Sequence, residues 1–162
     1  MSNDTKPLSF DLMGIQACQQ NRHPLLFVDR ILEAVPGKSA RGIKCFSYNE
    51  WFFPAHFAGD PNVPGFIQIE CMVQTFIMSF LCMPEYKGKK TNFISVDKVR
   101  FKRKIIPGDT LESVAILNSF RRGMAMGQCE SFVDGELACS ADFIVGIPDV
   151  LNSYIPKKPR SE

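Results

Sequence analysis

At 162 residues, 45% of them hydrophobic and 22% charged, the chain is long enough to bury a core unaided and too apolar to be disordered. Its net charge of +2 at neutral pH is too slight to mark a nucleic-acid-binding face. The six cysteines (Cys18, Cys45, Cys71, Cys82, Cys129, Cys139) form no CxxC pair and no metal-ligand spacing, and several sit inside apolar runs, which predicts reduced thiols, several of them buried, in a cytoplasmic protein without a metal site.

Residues 1–7 predict a frayed tail with no apolar signal core. Ser9 is placed to cap a short helix over Phe10–Gln20, with Asp11 near its positive end and Pro24 beyond its stop. Leu25–Val35 (LLFVDRILEAV) suits a strand closed by a Pro36-Gly37 turn, and Ser39–Ser47 alternates as its hairpin partner. Asn49–Phe53 reads as a single helical turn before a loop broken by Pro54, Gly59, Pro61 and Pro64. The most apolar helix candidate then runs from Gly65 to about Met83, where Pro84 stops it. Its apolar positions (66, 67, 69, 72, 73, 76, 77, 80, 81) cover nearly all faces, so other elements must wrap it. Phe66–Met83 approaches membrane-spanning length, but Glu70 and Gln74 interrupt it, and a buried core helix is expected in place of membrane insertion. Beyond a polar loop at Lys87–Lys90, four strands are predicted over Asn92–Ile106, Asp109–Phe120, Met124–Val133 and Glu136–Ile147. Pro107-Gly108, Gly123 and Asp134-Gly135 punctuate them, and Pro148 onward reads as a tail.

Two strands, one long helix and a four-strand meander predict an α+β fold, one antiparallel sheet curved around a central helix. A single domain over 1–162 is expected, with a core of about 10–147 and tails at 1–8 and 148–162. A lone sheet of this kind leaves its edges open and the helix partly uncovered, so a second copy is expected. Basic residues gather at Lys87, Lys89 and Lys90, at Arg100, Lys102, Arg103 and Lys104, at Arg121 and Arg122, and at Lys157, Lys158 and Arg160. Each cluster is either a solvated loop or a docking face for an acidic partner.

The chemistry concentrates in Phe53–Gln74, FPAHFAGDPNVPGFIQIECMVQ. His23 precedes Pro24 at a strand entrance and suits a packed or exposed ring. His56 sits on a loop whose prolines set the backbone, the usual context of a functional side chain. Glu70 is costly to bury as an anion among Ile67, Ile69, Cys71 and Met72. It either reaches an edge and solvent or is kept there for a raised pKa. Gln74, four residues on, shares its face and is placed to orient Glu70 or a water, unless both merely line a wet seam. Gly65 opens the helix with free N–H groups and no Cβ, a place for a carbonyl gaining negative charge. Base, acid and amide together suit proton abstraction α to a carbonyl, followed by loss of a β-hydroxyl as water.

The same residues resemble the FabZ-type 3-hydroxyacyl-(acyl carrier protein) dehydratases, which have the hot-dog fold. The family pattern H-F-x-G-x-P-x-x-P-G-x-x-x-x-E-x-x-x-Q is met by His56, Phe57, Gly59, Pro61, Pro64, Gly65, Glu70 and Gln74. Pro24–Arg30 (PLLFVDR) and Val96–Asp109 (VDKVRFKRKIIPGD) are similar to its flanking strands, and the likeness spans about residues 10–146. The resemblance implies dehydration of a (3R)-3-hydroxyacyl thioester to the trans-2-enoyl thioester in fatty-acid or related lipid or polyketide synthesis, with no cofactor. It makes His56 the base and Glu70 the acid, with Gly65, Gln74 and Phe57 in the substrate site. Glutamate at 70 matches the FabZ branch, whereas the isomerising FabA branch has aspartate. Base and acid are implied to meet across a homodimer, three of which make a hexamer. The acyl carrier protein arm is implied to enter past Arg100, Lys102, Arg103 and Lys104; on a strand, 100, 102 and 104 would share one face. The chain departs from the family at Asn21-Arg22-His23-Pro24, where H-R-Y-P is usual, and at Ala55 and Ala58 around His56. Tyr86 is the nearest residue to the family's gating tyrosine. A hot-dog acyl thioesterase and a non-catalytic carrier-binding paralogue are the alternatives.

Overall fold

Pro64 opens α2 (Gly65–Leu81), which buries every residue from Cys71 to Leu81. The computed structural model describes residues 6–156; most of the expected N-terminal tail and the Lys157, Lys158 and Arg160 cluster lie outside the described residues. Around α2 curves one seven-stranded antiparallel sheet. Its strands are β1 (Leu8–Phe10), β2 (Arg30–Val35), β3 (Ser39–Cys45), β4 (Asn92–Phe101), β5 (Thr110–Arg121), β6 (Met124–Val133) and β7 (Glu136–Gly146), in the order β1-β2-β3-β5-β6-β7-β4.

Small side chains let the sheet close on the helix. Ala115, Ala125, Cys129 and Ala141 pack with Met72, Phe76 and Phe80 in one core. A Cβ at Gly127 would lie 2.5 Å from the Phe76 ring, so only glycine admits that aromatic here. A second core gathers Phe46, Phe52, Phe53, Val63, Ile67, Ile105 and Leu111. It lies under both ends of the Pro54–Pro64 loop, so burial fixes where that loop leaves and rejoins the fold.

The structure corrects several sequence expectations. Ser9 lies inside β1, and the cap of α1 (Leu12–Cys18) is Asp11, whose carboxylate accepts from the Gly14 N–H at 2.9 Å. Leu8 therefore belongs to the sheet and not to the tail. Leu25–Asp29 joins no strand: the Leu25 and Leu26 N–H groups turn back to the Arg22 carbonyl, the Gln74 amide of α2 takes the Leu25 carbonyl and the Phe27 and Val28 N–H groups, and β2 starts at Arg30. Asn49–Phe53 makes successive i+3→i turns continuing to His56 in place of one helical turn. The predicted meander is three strands, not four. The Phe46 N–H donates to the Asp109 carbonyl and the Gly108 N–H to the Phe46 carbonyl, so β5 departs beside β3 and β4 is left to pair with β7 at the far edge. β4 stops at Phe101, short of Ile106, so no strand face is shared by positions 100, 102 and 104. Pro148–Ser153 forms α3, its proline seated in the first turn, where a tail was expected. Among the described residues, no helix is long and apolar enough to cross a membrane.

Candidate active site

The turns that begin at Glu50 pass through Phe52 and Phe53, both buried, and deliver His56, whose N–H donates to the Phe53 carbonyl at 3.2 Å. The loop then closes on itself: the Asn62 N–H donates to the His56 carbonyl at 2.9 Å, and Phe57 and Asp60 exchange backbone bonds. Lys104 pairs with the Asp60 carboxylate, and the Val63 N–H donates to the Ile105 carbonyl at 2.9 Å. His56 Nδ1 lies 3.0 Å from the Asn62 carbonyl oxygen. A carbonyl only accepts, so Nδ1 carries the hydrogen and Nε2 of the neutral ring holds the lone pair of a base. Phe57 stacks on the ring at 4.3 Å and is itself 57% exposed.

Glu70 sits in the second turn of α2, beside a cavity of about 120 Å³ lined with Asn21, Gln74, Thr91, Phe93 and Val145. Gln74 Nε2 donates to Glu70 Oε1 at 2.8 Å and Asn21 Nδ2 to the same oxygen at 3.3 Å. Burial pushes the Glu70 carboxyl above its ordinary value, and the bond from Gln74 opposes that shift without cancelling it. Gln74 has no polar atom to spare: it also donates to the Leu25 carbonyl at 2.6 Å and accepts from the Phe27 N–H at 2.8 Å and the Val28 N–H at 3.3 Å. It therefore orients Glu70 and does not offer a free hydrogen to a substrate.

At the start of α2, the Gly65 and Phe66 N–H groups find no acceptor among the described residues. The Phe101 ring packs against Gly65 so closely that a Cβ there would lie 2.8 Å from it. Of the four basic residues expected at a docking face, Arg100 and Lys102 are exposed. Arg103 is tied to Glu136 at 3.0 Å and to the Val133 carbonyl, while Lys104 is held by Asp60. His23 is exposed beside Pro24 and Trp51, and Tyr86 packs edge-on against Phe120; neither lines the Glu70 cavity. His56 does not line it either.

Three supporting residues were not picked out from the sequence as parts of the site. Asn62 presents a backbone carbonyl, which carries no compositional signal. Asn21 drew notice only as a departure from the family pattern, and its reach to Glu70 depends on how the α1–β2 connection crosses α2. Lys44, in β3, is nine-tenths buried and bridges Glu50 at 2.6 Å and Asp29 at 3.7 Å, holding the residue from which the turns to His56 start.

Comparison with known proteins covers most of the chain. A FabA-like domain model matches residues 20–142. The 3-hydroxyacyl-[acyl-carrier-protein] dehydratase FabZ of Chloroflexus aggregans is 42% identical over 138 residues, 85% of this chain and 96% of that protein. FabZ of Desulforamulus reducens is 40% identical over 137 residues, with the same shares of the two chains. Among solved structures, the dehydratase heterocomplex ApeI:P from Xenorhabdus doucetiae has a TM-score of 0.73 at 13% identity and covers 88% of this chain and 97% of that one. The Escherichia coli PaaI protein has a TM-score of 0.56 at 13% identity, over 72% and 77% of the two chains. At these identities the structural likeness establishes the hot-dog fold alone.

Proposed function

This chain belongs to the FabA-like domain family, and we infer that it removes water from a 3-hydroxyacyl thioester held on acyl carrier protein, giving the trans-2-enoyl thioester. His56 Nε2 takes the proton from the carbon next to the thioester carbonyl. The electron pair left behind forms the new carbon–carbon double bond, the bond from C3 to the hydroxyl oxygen breaks, and Glu70 gives its proton to the departing hydroxyl, which leaves as water. The thioester carbonyl gains negative charge as the α-proton leaves, and the free Gly65 N–H at the positive end of α2 is suited to hold it. The apolar, exposed Phe57 ring suits the acyl arm. The observation that carries this reading is a histidine whose Nδ1 is held by the Asn62 carbonyl, leaving Nε2 free, together with a carboxyl whose pKa burial raises.

The two groups are proposed to meet across two copies of the chain. In support, His56 is absent from the Glu70 cavity, and Phe66, Phe93, Ile94 and Phe101 are exposed around the helix start and the free edge of β4. Dimers further assembled as a hexamer would follow the family habit. Arg100 and Lys102, free of intrachain ion pairs among the described residues, are the proposed contacts for the acidic carrier, with Arg103 and Lys104 bracing the loop instead. Six free thiols, five of them buried, support a cytoplasmic setting.

The test is incubation with a 3-hydroxyacyl-(acyl carrier protein), assaying enoyl product against free thiol. Enoyl formation is expected, and His56→Ala and Glu70→Gln should each lower it by at least about 100-fold with the gel-filtration profile unchanged. Release of free thiol in its place would identify a thioesterase, and full activity in either variant would overturn the assigned roles.

A further inference from the structure

Glu70 Oε1 accepts two hydrogen bonds, one along the helix from Gln74 Nε2 and one from Asn21 Nδ2 on the connection between α1 and β2. The Gln74 amide cannot be turned round, because its oxygen is held by the Phe27 and Val28 N–H groups and its nitrogen by the Leu25 carbonyl. With both directions at Oε1 filled by donors, a hydrogen on that oxygen would oppose theirs. Oε2 has no partner among the described residues. We propose that Asn21 is a positioning residue for the acid: with Gln74 it confines the Glu70 proton to Oε2, the oxygen left free to meet a substrate hydroxyl. This rests on Glu70 being the acid of the reaction described above.

Asn21 differs from Gln74 in what else it does. Gln74 also satisfies buried backbone groups, so its loss would damage the fold, whereas Asn21 is half-buried and its side chain bonds only to Glu70 among the described residues. The side chains lining the cavity from other elements, Thr91, Phe93 and Val145, do not titrate, and neither does Val73 on α2. The titratable neighbour within the chain is the buried Cys71 thiol, whose own pKa burial raises well above the ordinary thiol value. In the two-copy reading, His56 of the other copy is the remaining group.

The proposal is tested by following the δ-carbon of Glu70 by NMR titration in ¹³C-glutamate-labelled full-length protein, the resonance assigned by its loss in Glu70→Gln. The titration is repeated in a His56→Ala background to remove coupling to that ring. A bond donated to the carboxylate favours its charged form, so Asn21→Ala should move the titration to higher pH by about one unit. Asn21→Asp, which places a second carboxyl there, should move it further. The kcat of Asn21→Ala should fall about tenfold with KM within about twofold and Tm nearly unchanged. A titration unchanged in both variants would remove Asn21 from the acid's environment. A move to lower pH in Asn21→Ala would mean that Asn21 accepts the acid's proton, and would equally overturn the proposal. Because this readout needs no turnover, it stands apart from the Glu70→Gln assay, whose failure would remove the acid role and leave the titration to be judged alone.

Discussion

Glu70 meets opposing influences at one carboxyl group. Burial among Asn21, Val73 and Phe93 raises its pKa, and the Gln74 amide pulls it back in part. The folded chain therefore keeps this proton at pH values where the unfolded chain has lost it. Stability linked to the group is complete below the unfolded carboxylate range and is lost as pH rises through the folded value. Glu70→Gln has no such proton to lose. Its Tm should gain on the wild type as pH is raised from about 4, and a constant difference across the scan would show that Glu70 titrates normally. On the proposed role of Glu70 as proton donor, activity should respond in the same direction: kcat should decline on the alkaline side as Glu70 ionises. The cost of a lone carboxyl in an apolar helix was legible in the sequence, with a raised pKa as one of the ways it could be met. The choice between an edge position and a buried one was not, because it depends on which residues of other elements stand opposite.

At the scale of elements, the α2 helix organises its surroundings through Gln74 and Gly65. Gln74 stands where a neighbouring strand would be, feeding an acceptor to the Phe27 and Val28 N–H groups and a donor to the Leu25 carbonyl. Together with the turn bonds from the Leu25 and Leu26 N–H groups to Arg22, this keeps the middle of the apolar LLFVD run, strand-like by composition, out of a ladder. Gln74→Ala leaves those buried groups unpaired and should destabilise the chain by roughly 2–4 kcal/mol, measured by denaturant unfolding. An effect under about half a kcal/mol would mean that water replaces the amide. Gly65 faces the Phe101 ring of β4, with no room for a Cβ. Gly65→Ala should push apart the helix start and the strand and lower kcat by about 100-fold, because small displacements near reacting groups are heavily penalised. Adding Phe101→Leu should restore part of that loss if the clash, and not glycine's flexibility, is the cause. The strand boundaries of β6 and the helix start at Gly65 were evident from turn residues and proline. The neighbour of β4 was not, since hairpin punctuation at Pro107-Gly108 says nothing of the Phe46–Asp109 backbone pair that sends β5 elsewhere.

For the whole molecule, the proposal that His56 and Glu70 meet across two copies would make assembly a condition of activity. Mixing inactive His56→Ala and Glu70→Gln chains, with subunit exchange under mild denaturant, gives a decisive measurement. If each site takes its base from one copy and its acid from the other, the mixed dimer holds one intact site and one doubly defective site. Random pairing should then recover about a quarter of wild-type activity. If base and acid act within one chain, the mixture stays inactive, and the two-copy arrangement is wrong.

By itself the sequence determined the chemistry and its spacing. A proline-set loop carrying His56, a glycine at the helix start, and an acid and an amide one turn apart on an apolar helix are local facts, written in residue type and order. Tertiary structure alone decided which atoms of that set are engaged. The tautomer of His56 follows from a carbonyl six residues away, and the accepting oxygen of Glu70 follows from Asn21, forty-nine positions earlier in the chain. The division of the basic cluster into exposed Arg100 and Lys102 and paired Arg103 and Lys104 follows from Glu136 and Asp60. The physical reason is the range of the interactions. Helix starts, caps and turns are set by neighbours within a few residues, whereas hydrogen-bond partners and burial depend on how distant segments pass one another around α2.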